Sequence, residues 1–310
     1  MPRRSVIDIG TNSVKLLIAD VEGHRVEPLH EAAEQTRLGR GFYETHRLQP
    51  EAVTATAQAV AKFVASAGKL GASVPRVFAT SAARDAKNPE LLRAVIESAC
   101  GLAVEIISGE QEAEWAFRGV ASDARLGSQP LLLLDVGGGS TEFILGQGEQ
   151  KHFRQSFPLG SVRLLEALPH SDPPTVQELA DCRRWLETFL NTQVKPQLDL
   201  ALARERCAGK LVLVGTGGAA SLLAAMEQGL GEFDRAKVDG AVLSADCVQH
   251  WVNRLWSLPL VARRKIPGLP PERADVMLAG AAIYEAVLGS FGFAELRVTA
   301  RGLRYAALME

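Results

Sequence analysis

Two short segments of this sequence end an apolar run on an aspartate and follow it with small and hydroxyl-bearing residues. Residues 6–18 read VIDIGTNSVKLLI, and residues 133–145 read LLDVGGGSTEFIL. Aligned, Asp8 falls on Asp135, Gly10 on Gly137 and Ser13 on Ser140, an offset of 127 positions. Each copy reads as a strand, a wide polar turn and a second strand, that is, a β-hairpin. Glycines let backbone N–H groups approach an anion without a Cβ in the way, and hydroxyls add donors. The chemistry this suits is phosphate binding. Gly10, Thr11, Asn12 and Ser13 would serve in the first copy, and Gly137, Gly138, Gly139, Ser140 and Thr141 in the second. Asp8 and Asp135 cannot take a phosphate directly, but an acid there can hold Mg²⁺ through water or orient a nucleophile. One such turn alone is an ordinary hairpin. Two with Asp and Ser in register point to a phosphate clamp between two domains.

Lys15 and Glu142 align with each other and break the symmetry. A cation would help one copy hold phosphate, and an acid would hold metal in the other; an exposed strand position is the alternative for both. Glu110, Glu112 and Glu114 follow a strand at a helix start, where first-turn acids are favoured by the helix dipole. Glu112 falls near the fourth helical position and, if it faces the phosphates, is a candidate general base for water. The segment 79–88, ATSAARDAKN, offers Ser81, Arg84 and Asn88 to an anion, and Arg84 has the bidentate fork that phosphate oxygens favour. Arg37 is a similar case. Gly215-Thr216-Gly217-Gly218, between a strand and a helix, reads equally as a phosphate turn and as a structural one.

The elements that must position these residues alternate. Pro50 to Leu70 carries apolar residues at helical spacing and stops at Gly71. Residues 76–80 and 103–107 read as strands. Asn88-Pro89 reads as a cap and first position of a helix that Gly101 closes, and Ser108 to Gln111 has capping-box spacing. Helices are expected over 174–190, 193–205, 218–228, from Ser244 to about 256, over 274–289 and over 302–309, with strands at 210–214 and 295–299 and a rigid loop at 267–271. Strands alternating with helices predict α/β layers. The repeat places one domain over 1–125 and a second over 126–310, with the helix at 302–310 able to pack back on the first.

Composition narrows the class. With 34 Lys and Arg against 36 Asp and Glu, the net charge of −2 gives no broad basic surface for nucleic acid. Hydrophobic residues at 47% and charged at 23% exclude a disordered chain. No apolar run approaches the roughly 18 residues of a membrane span, and the start MPRRSVIDIG lacks an export signal. Cys100, Cys182, Cys207 and Cys247 form no C-x-x-C pair, and the six histidines form no H-E-x-x-H group. A reduced, cytoplasmic protein is the expectation.

Taken in order, VIDIGTNSVKLLI, ATSAARDAKN, ISGEQEA, LLLDVGGGSTEFI, VGTGGAA and ADVMLAGAAI resemble the exopolyphosphatase / guanosine pentaphosphate phosphohydrolase (Ppx/GppA) family in its short, two-domain form. The matching motifs run from residue 6 to about 305. The resemblance implies two actin-like domains of the sugar kinase/Hsp70 superfold, ribonuclease H-like in topology, with the active site in the cleft between them. It implies Mg²⁺ or another divalent ion, leaves K⁺ open, and implies removal of the terminal phosphate of inorganic polyphosphate, or of the 5′ γ-phosphate of guanosine pentaphosphate. Carried over, Glu112 is the catalytic base; Asp8, Asp135 and Glu142 are the metal- and water-handling acids; the two turns, Lys15, Ser81 and Arg84 contact phosphate. Relatives are often homodimers. A departure is Arg304-Tyr305, where many relatives read GLREG. A non-catalytic polyphosphate or nucleotide sensor is the reading from another class. For a polyanion, further cations come from Lys87, Arg93 and the Arg263-Arg264-Lys265 cluster, the last equally a solvated face.

Overall fold

The computed structural model describes residues 1–208 and 211–310, so Lys210, expected to open a strand, lies outside the described residues. The chain divides into two compact units, Met1–Ser122 with Gly302–Glu310, and Asp123–Arg301.

Unit 1 is built on a five-stranded sheet of β1 (Arg3–Ile9), β2 (Val14–Glu22), β3 (Arg25–Glu34), β4 (Arg76–Ala79) and β5 (Val104–Ile106), in the order β3-β2-β1-β4-β5. The first three strands run antiparallel, and β4 and β5 join parallel to β1. Side chains of a strand alternate between faces. Val77 and Ala79 therefore join the core beneath the helices Pro50–Lys69 and Pro89–Cys100, while Phe78 turns to the other face and meets Trp115 edge-on at 5.2 Å. Trp115 belongs to the helix Gly109–Ala121, opened by Ser108, whose Oγ accepts the Gln111 N–H at 3.1 Å. The expected helix at the chain's end, Leu303–Met309, packs on that same face. A Cβ on Gly119 would stand 2.0 Å from the Gly302 carbonyl oxygen, so the approach requires a glycine.

Unit 2 repeats the plan over β6 (Leu131–Val136), β7 (Thr141–Gln147), β8 (Gln150–Phe157), β9 (Val212–Thr216), β10 (Val242–Ser244) and β11 (Glu295–Val298), in the order β10-β11-β9-β6-β7-β8. Leaving out the edge strand β10, both sheets have one order and one set of strand senses, that of the actin-like, ribonuclease H-like unit. The run Leu131–Leu134 is wholly buried because β6 is central and covered on both faces.

The repeat extends past the hairpins. In β2 and β3 the register slips between Ile18 and Ala19, leaving Leu29 unpaired; in β7 and β8 it slips between Leu145 and Gly146, leaving His152 unpaired. Both bulges fall the same distance after the aligned aspartates. Two expectations change. Asn88 does not cap its helix; its side chain bonds the backbone of Leu48 in both directions, accepting at 2.8 Å and donating at 3.1 Å. The helices expected at 174–190 and 193–205 are one rod, Val176–Phe189 and Lys195–Ala208 joined by a π-turn over Leu190–Val194.

The glycine contact gives a test with an unusual sign. Gly→Ala inside a helix ordinarily stabilises by roughly 1 kcal/mol. At Gly119 the new methyl meets backbone, and overpacking of that kind typically costs about 1–3 kcal/mol. Gly119→Ala is expected to lower the urea midpoint of the folded protein; an unchanged or raised midpoint would contradict the packing of the last helix.

Candidate functional site

In unit 1 the first turn is closed by a bond from Gly10 N–H to the Ser13 carbonyl at 3.0 Å; in unit 2 its counterpart runs from Gly137 N–H to the Ser140 carbonyl at 2.9 Å. In both, a Cβ on the glycine would stand 3.1–3.2 Å from that carbonyl oxygen, tighter than most side chains tolerate. The turns are thus the same structure, as the sequence repeat requires.

Each turn is sewn to a backing segment through its carbonyls. In unit 2 the carbonyls of Gly137 and Gly138 accept from Ser161 and Val162 N–H at 3.0 and 2.9 Å, and that of Gly139 from Arg163 Nε at 2.8 Å. Gly160 makes this possible, since a Cβ there would fall 2.4 Å from the Gly138 carbonyl. In unit 1 the carbonyls of Thr11 and Asn12 accept from Gly39 N–H at 2.7 Å and Arg37 N–H at 3.0 Å. Arg37 adopts φ 53° there, so this residue, a candidate phosphate ligand by type, serves the turn through its backbone. A trans peptide is planar, and its N–H points opposite to its C=O. The N–H groups of Gly138, Gly139 and Ser140, and those of Asn12 and Ser13, are therefore aimed away from the backing segments. That is how a turn presents donors to an anion.

The acids lie at the strand ends beside these turns. Asp8 stands opposite Lys15 across β1 and β2, and Asp135 stands opposite Glu142 across β6 and β7. The symmetry break is thus a choice of partner: acid with base in unit 1, acid with acid in unit 2. Asp135 and Glu142 are 8% and 1% exposed, and like charges directly opposite destabilise a sheet unless something compensates. Ser156 Oγ donates to Glu142 Oε1 at 2.7 Å. Among the described residues no three His, Cys, Asp or Glu converge into a protein-only metal cage. Mg²⁺ does not need one; it usually keeps several waters and takes one or two carboxylates plus phosphate oxygens. The Asp135–Glu142 pair fits that demand. Asp8 is also buried, which pushes its carboxyl above the usual range, while Lys15 and Arg304 pull it back. Arg304 is fixed by bonds to the Leu16 carbonyl at 2.9 Å and Glu31 Oε2 at 3.0 Å.

Unit 1 also joins two residues that the sequence separates. Arg84 Nη1 meets Glu112 Oε2 at 2.7 Å, and the Glu112 side chain is 9% exposed. Ser108 sets the register of the helix that carries Glu112, and β4 delivers Arg84 in the short turn Ser81–Arg84 that follows it. Ser81 opens the same short turn, and its Oγ is buried with no hydrogen-bond partner among the described residues.

Gly215–Gly218 reads from the sequence equally as a phosphate turn and as a structural one. The structure gives two of its glycines a steric duty. A Cβ on Gly217, at φ 82°, would stand 2.3 Å from Asp135 Oδ1, and one on Gly218 would stand 2.1 Å from Arg273 Nη2. Arg273 and the backing segments at 37–39 and 160–163 were not singled out as a set; only positional glycines and an arginine after Pro270-Pro271 hinted at them. Arg263, counted among the surface cations, is 1% exposed and is no part of a solvated face.

The raised Asp8 carboxyl has a consequence for stability. A carboxyl whose folded pKa exceeds its unfolded value is penalised when ionised, so stability falls as pH rises through that interval. Asp8→Asn removes the penalty. It is expected to raise the thermal midpoint at pH 7 by a few degrees and to do so far less near pH 4. A drop in the midpoint at pH 7 would show that Lys15 and Arg304 outweigh the burial.

These features have counterparts in known proteins. The Ppx/GppA phosphatase family matches residues 17–310. Exopolyphosphatase 2 of Mycobacterium tuberculosis is 36% identical over 299 residues, covering 92% of this chain and 89% of that protein. The crystal structure of the Aquifex aeolicus member of the Ppx/GppA family is 31% identical and superposes with a TM-score of 0.77, covering 99% of this chain and 96% of that one. That of an exopolyphosphatase from Cytophaga hutchinsonii is 27% identical with a TM-score of 0.87, covering 99% and 96%. On the extent of these matches and the in-register phosphate-type turns, the chain belongs to the Ppx/GppA phosphatase family.

Proposed function

We propose that the protein is an exopolyphosphatase that removes the terminal phosphate of inorganic polyphosphate as orthophosphate. The observation that carries this reading is the pair of carbonyl-sewn turns, each aiming backbone N–H groups away from its backing segment. A neutral donor array of that kind suits the equatorial oxygens of a phosphoryl group. The names borne by the relatives from M. tuberculosis and C. hutchinsonii support the choice of polyphosphate.

In the proposed reaction a water oxygen attacks the terminal phosphorus in line with the bridging oxygen. The phosphorus–bridge bond breaks, and the electron pair leaves on the shortened chain. Glu112 Oε accepts the proton of the attacking water. Phosphoryl transfer has a loose transition state, so positioning and charge neutralisation carry most of the rate. That matches a base whose Oε2 is held in place by Arg84 Nη1 at 2.7 Å. Arg84 then has two duties, orienting Glu112 and meeting a phosphate oxygen. Asp135 and Glu142 would hold Mg²⁺ in unit 2, and Asp8 is the acid that unit 1 would offer a cation. When bound, the ion supplies charge neutralisation on the phosphoryl oxygens. Lys15 serves the same end without metal, beside the first turn.

Glu112→Gln keeps the shape and removes the proton acceptor. General-base help is typically worth about 10²–10⁴-fold, and kcat for phosphate release is expected to fall by that order while polyphosphate still binds. Near-wild-type turnover would reject Glu112. The function itself is tested by Mg²⁺-dependent phosphate release from long-chain polyphosphate, short-chain polyphosphate and guanosine pentaphosphate at equal concentration. Polyphosphate is expected to be preferred, with release stopped by chelation, restored by Mg²⁺ and weakened by salt. Preference for the nucleotide would move the chain to that substrate. Binding of polyphosphate without turnover would make it a sensor.

A further inference from the structure

The β10–β11 edge of the unit 2 sheet carries a cavity of about 150 Å³, many times the ~15 Å³ that one water needs. Its walls include Arg125, Leu126, Asp239, Gly240, Val242 and Arg297, none of which belongs to the turns or to the acids beside them. Leu296 and Val298 are core residues, so Arg297 between them lies on the opposite face of β11. Val242, 50% exposed, stands directly across the ladder and shares that face. Arg297 is partly buried and its Nε is sealed, yet among the described residues this nitrogen has no acceptor and the guanidinium no ion pair. A buried donor without an acceptor is costly, and a ligand that accepts from this guanidinium would compensate it.

The second arginine is fixed in place. Arg125 Nε donates to Asp123 Oδ1 and Oδ2 at 3.0 and 3.2 Å, and its Nη2 reaches Asp123 Oδ2 and Asp239 Oδ2 at 2.5 Å each. Its Nη1 makes none of these bonds. That nitrogen comes up on Gly240, where a Cβ would stand 3.1 Å away, and the φ of 89° there suits glycine. Asp239 is the one acid among the walls, and both its oxygens are taken. Oδ2 holds Arg125, while Oδ1 accepts the Thr299 hydroxyl at 3.0 Å and the Ala300 N–H at 2.9 Å. The cavity thus offers two guanidiniums, one balanced by acids and one not, and no carboxylate oxygen left to attract a cation.

We propose that this cavity binds a small oxyanion, a phosphate or a carboxylate, between Arg125 Nη1 and the Arg297 guanidinium, with Leu126 and Val242 against its apolar part. Charge-assisted bonds from arginine are the strong contacts for such groups. Asp123 and Asp239 preorganise Arg125, so little ordering is lost there on binding. The inference stands on unit 2 alone and does not rest on the exopolyphosphatase reading.

The full chain, labelled with ¹⁵N at arginine, is titrated with inorganic phosphate, isobutyrate and chloride at constant ionic strength. The signal read is the Arg297 Nε–H, identified by its loss in Arg297→Lys, because phosphate at the turns would move other arginines. It is expected to shift saturably, half-way at about 1 mM or below, with phosphate, isobutyrate or both, and to ignore chloride. Saturation by phosphate alone assigns a phosphoryl ligand, and by isobutyrate alone a carboxylate. Arg297→Met breaks no ion pair and is expected to keep its thermal midpoint. The Arg125 Nε–H in that variant is expected to need about tenfold more of the same anion for its half-shift. A linear shift, an equal response to chloride, an unmoved Arg297 signal, or an unchanged half-shift in the Met variant would each overturn the proposal. Should Arg297→Met not fold, the wild-type titration alone decides. A chain that releases no phosphate from polyphosphate would fail the function reading and leave this test standing.

Discussion

The orientation of a few peptide planes governs the site. Carbonyls of Gly137, Gly138 and Gly139 are spent on residues 161–163, and those of Thr11 and Asn12 on residues 37–39. Because a peptide cannot turn its N–H and C=O to the same side, bonding one group fixes where the other points. The backing segments therefore do more than support the turns. They direct the amides, and they can come this close only because Gly160 and Gly39 lack side chains. A Cβ on Gly39 would stand 2.2 Å from the Thr11 methyl. Amides fixed in this way by folding meet the condition under which dipoles contribute most to stabilising an anion.

The same fold has to tolerate charges it would otherwise reject. Asp8, Asp135, Glu142 and Glu112 are all buried, and buried acids are costly unless bonded or paired. Each finds a different compensation. Asp8 faces Lys15, Glu142 takes the Ser156 hydroxyl, and Glu112 takes Arg84. Asp135 stands opposite Glu142 and rests on Gly217. Burial also reaches the neighbouring Tyr284, whose hydroxyl is pushed well up by desolvation and by the Asp135 charge, so it stays a donor to the Thr216 carbonyl at 3.1 Å.

What could be read from the sequence was what is local. The aspartate-turn repeat, the helix from Pro50, the Ser108 cap and the α/β alternation all depend on residues within a few positions of each other, and all are found in the fold. The strands β3 and β8 escaped because they are edges. Residues RVEPLHEAAE have no clean alternation, since most face solvent and Pro28 sits next to Leu29, the residue left out of register, on an edge strand where a missing N–H is tolerated. Asn88 before Pro89 carried a cap signal that a tertiary contact with Leu48 overrode. The pairing of Arg84 with Glu112 has no local trace, since 28 residues separate them and only the order of β4 and β5 in the sheet brings them together. Charge was the least reliable guide: in Arg263-Arg264-Lys265, three adjacent cations read alike, and one is wholly buried.

That last case bears on how the two units differ. Their core strand orders, their aspartate turns and the register slips that follow them correspond, yet their charges do not. Unit 1 surrounds its aspartate with cations, Lys15 across the strand and Arg304 from the last helix. Unit 2 puts a second acid across the strand and sets its arginine, Arg273, one turn residue away, on Gly218 rather than on the acid itself. A duplicated scaffold can thus carry different charges at equivalent positions. In unit 1 the aspartate is matched by Lys15 and Glu112 by Arg84; in unit 2 two carboxylates stand opposite each other across the strands. The difference follows from substitutions at equivalent positions, Lys15 for Glu142 above all, on a backbone that the repeat keeps the same.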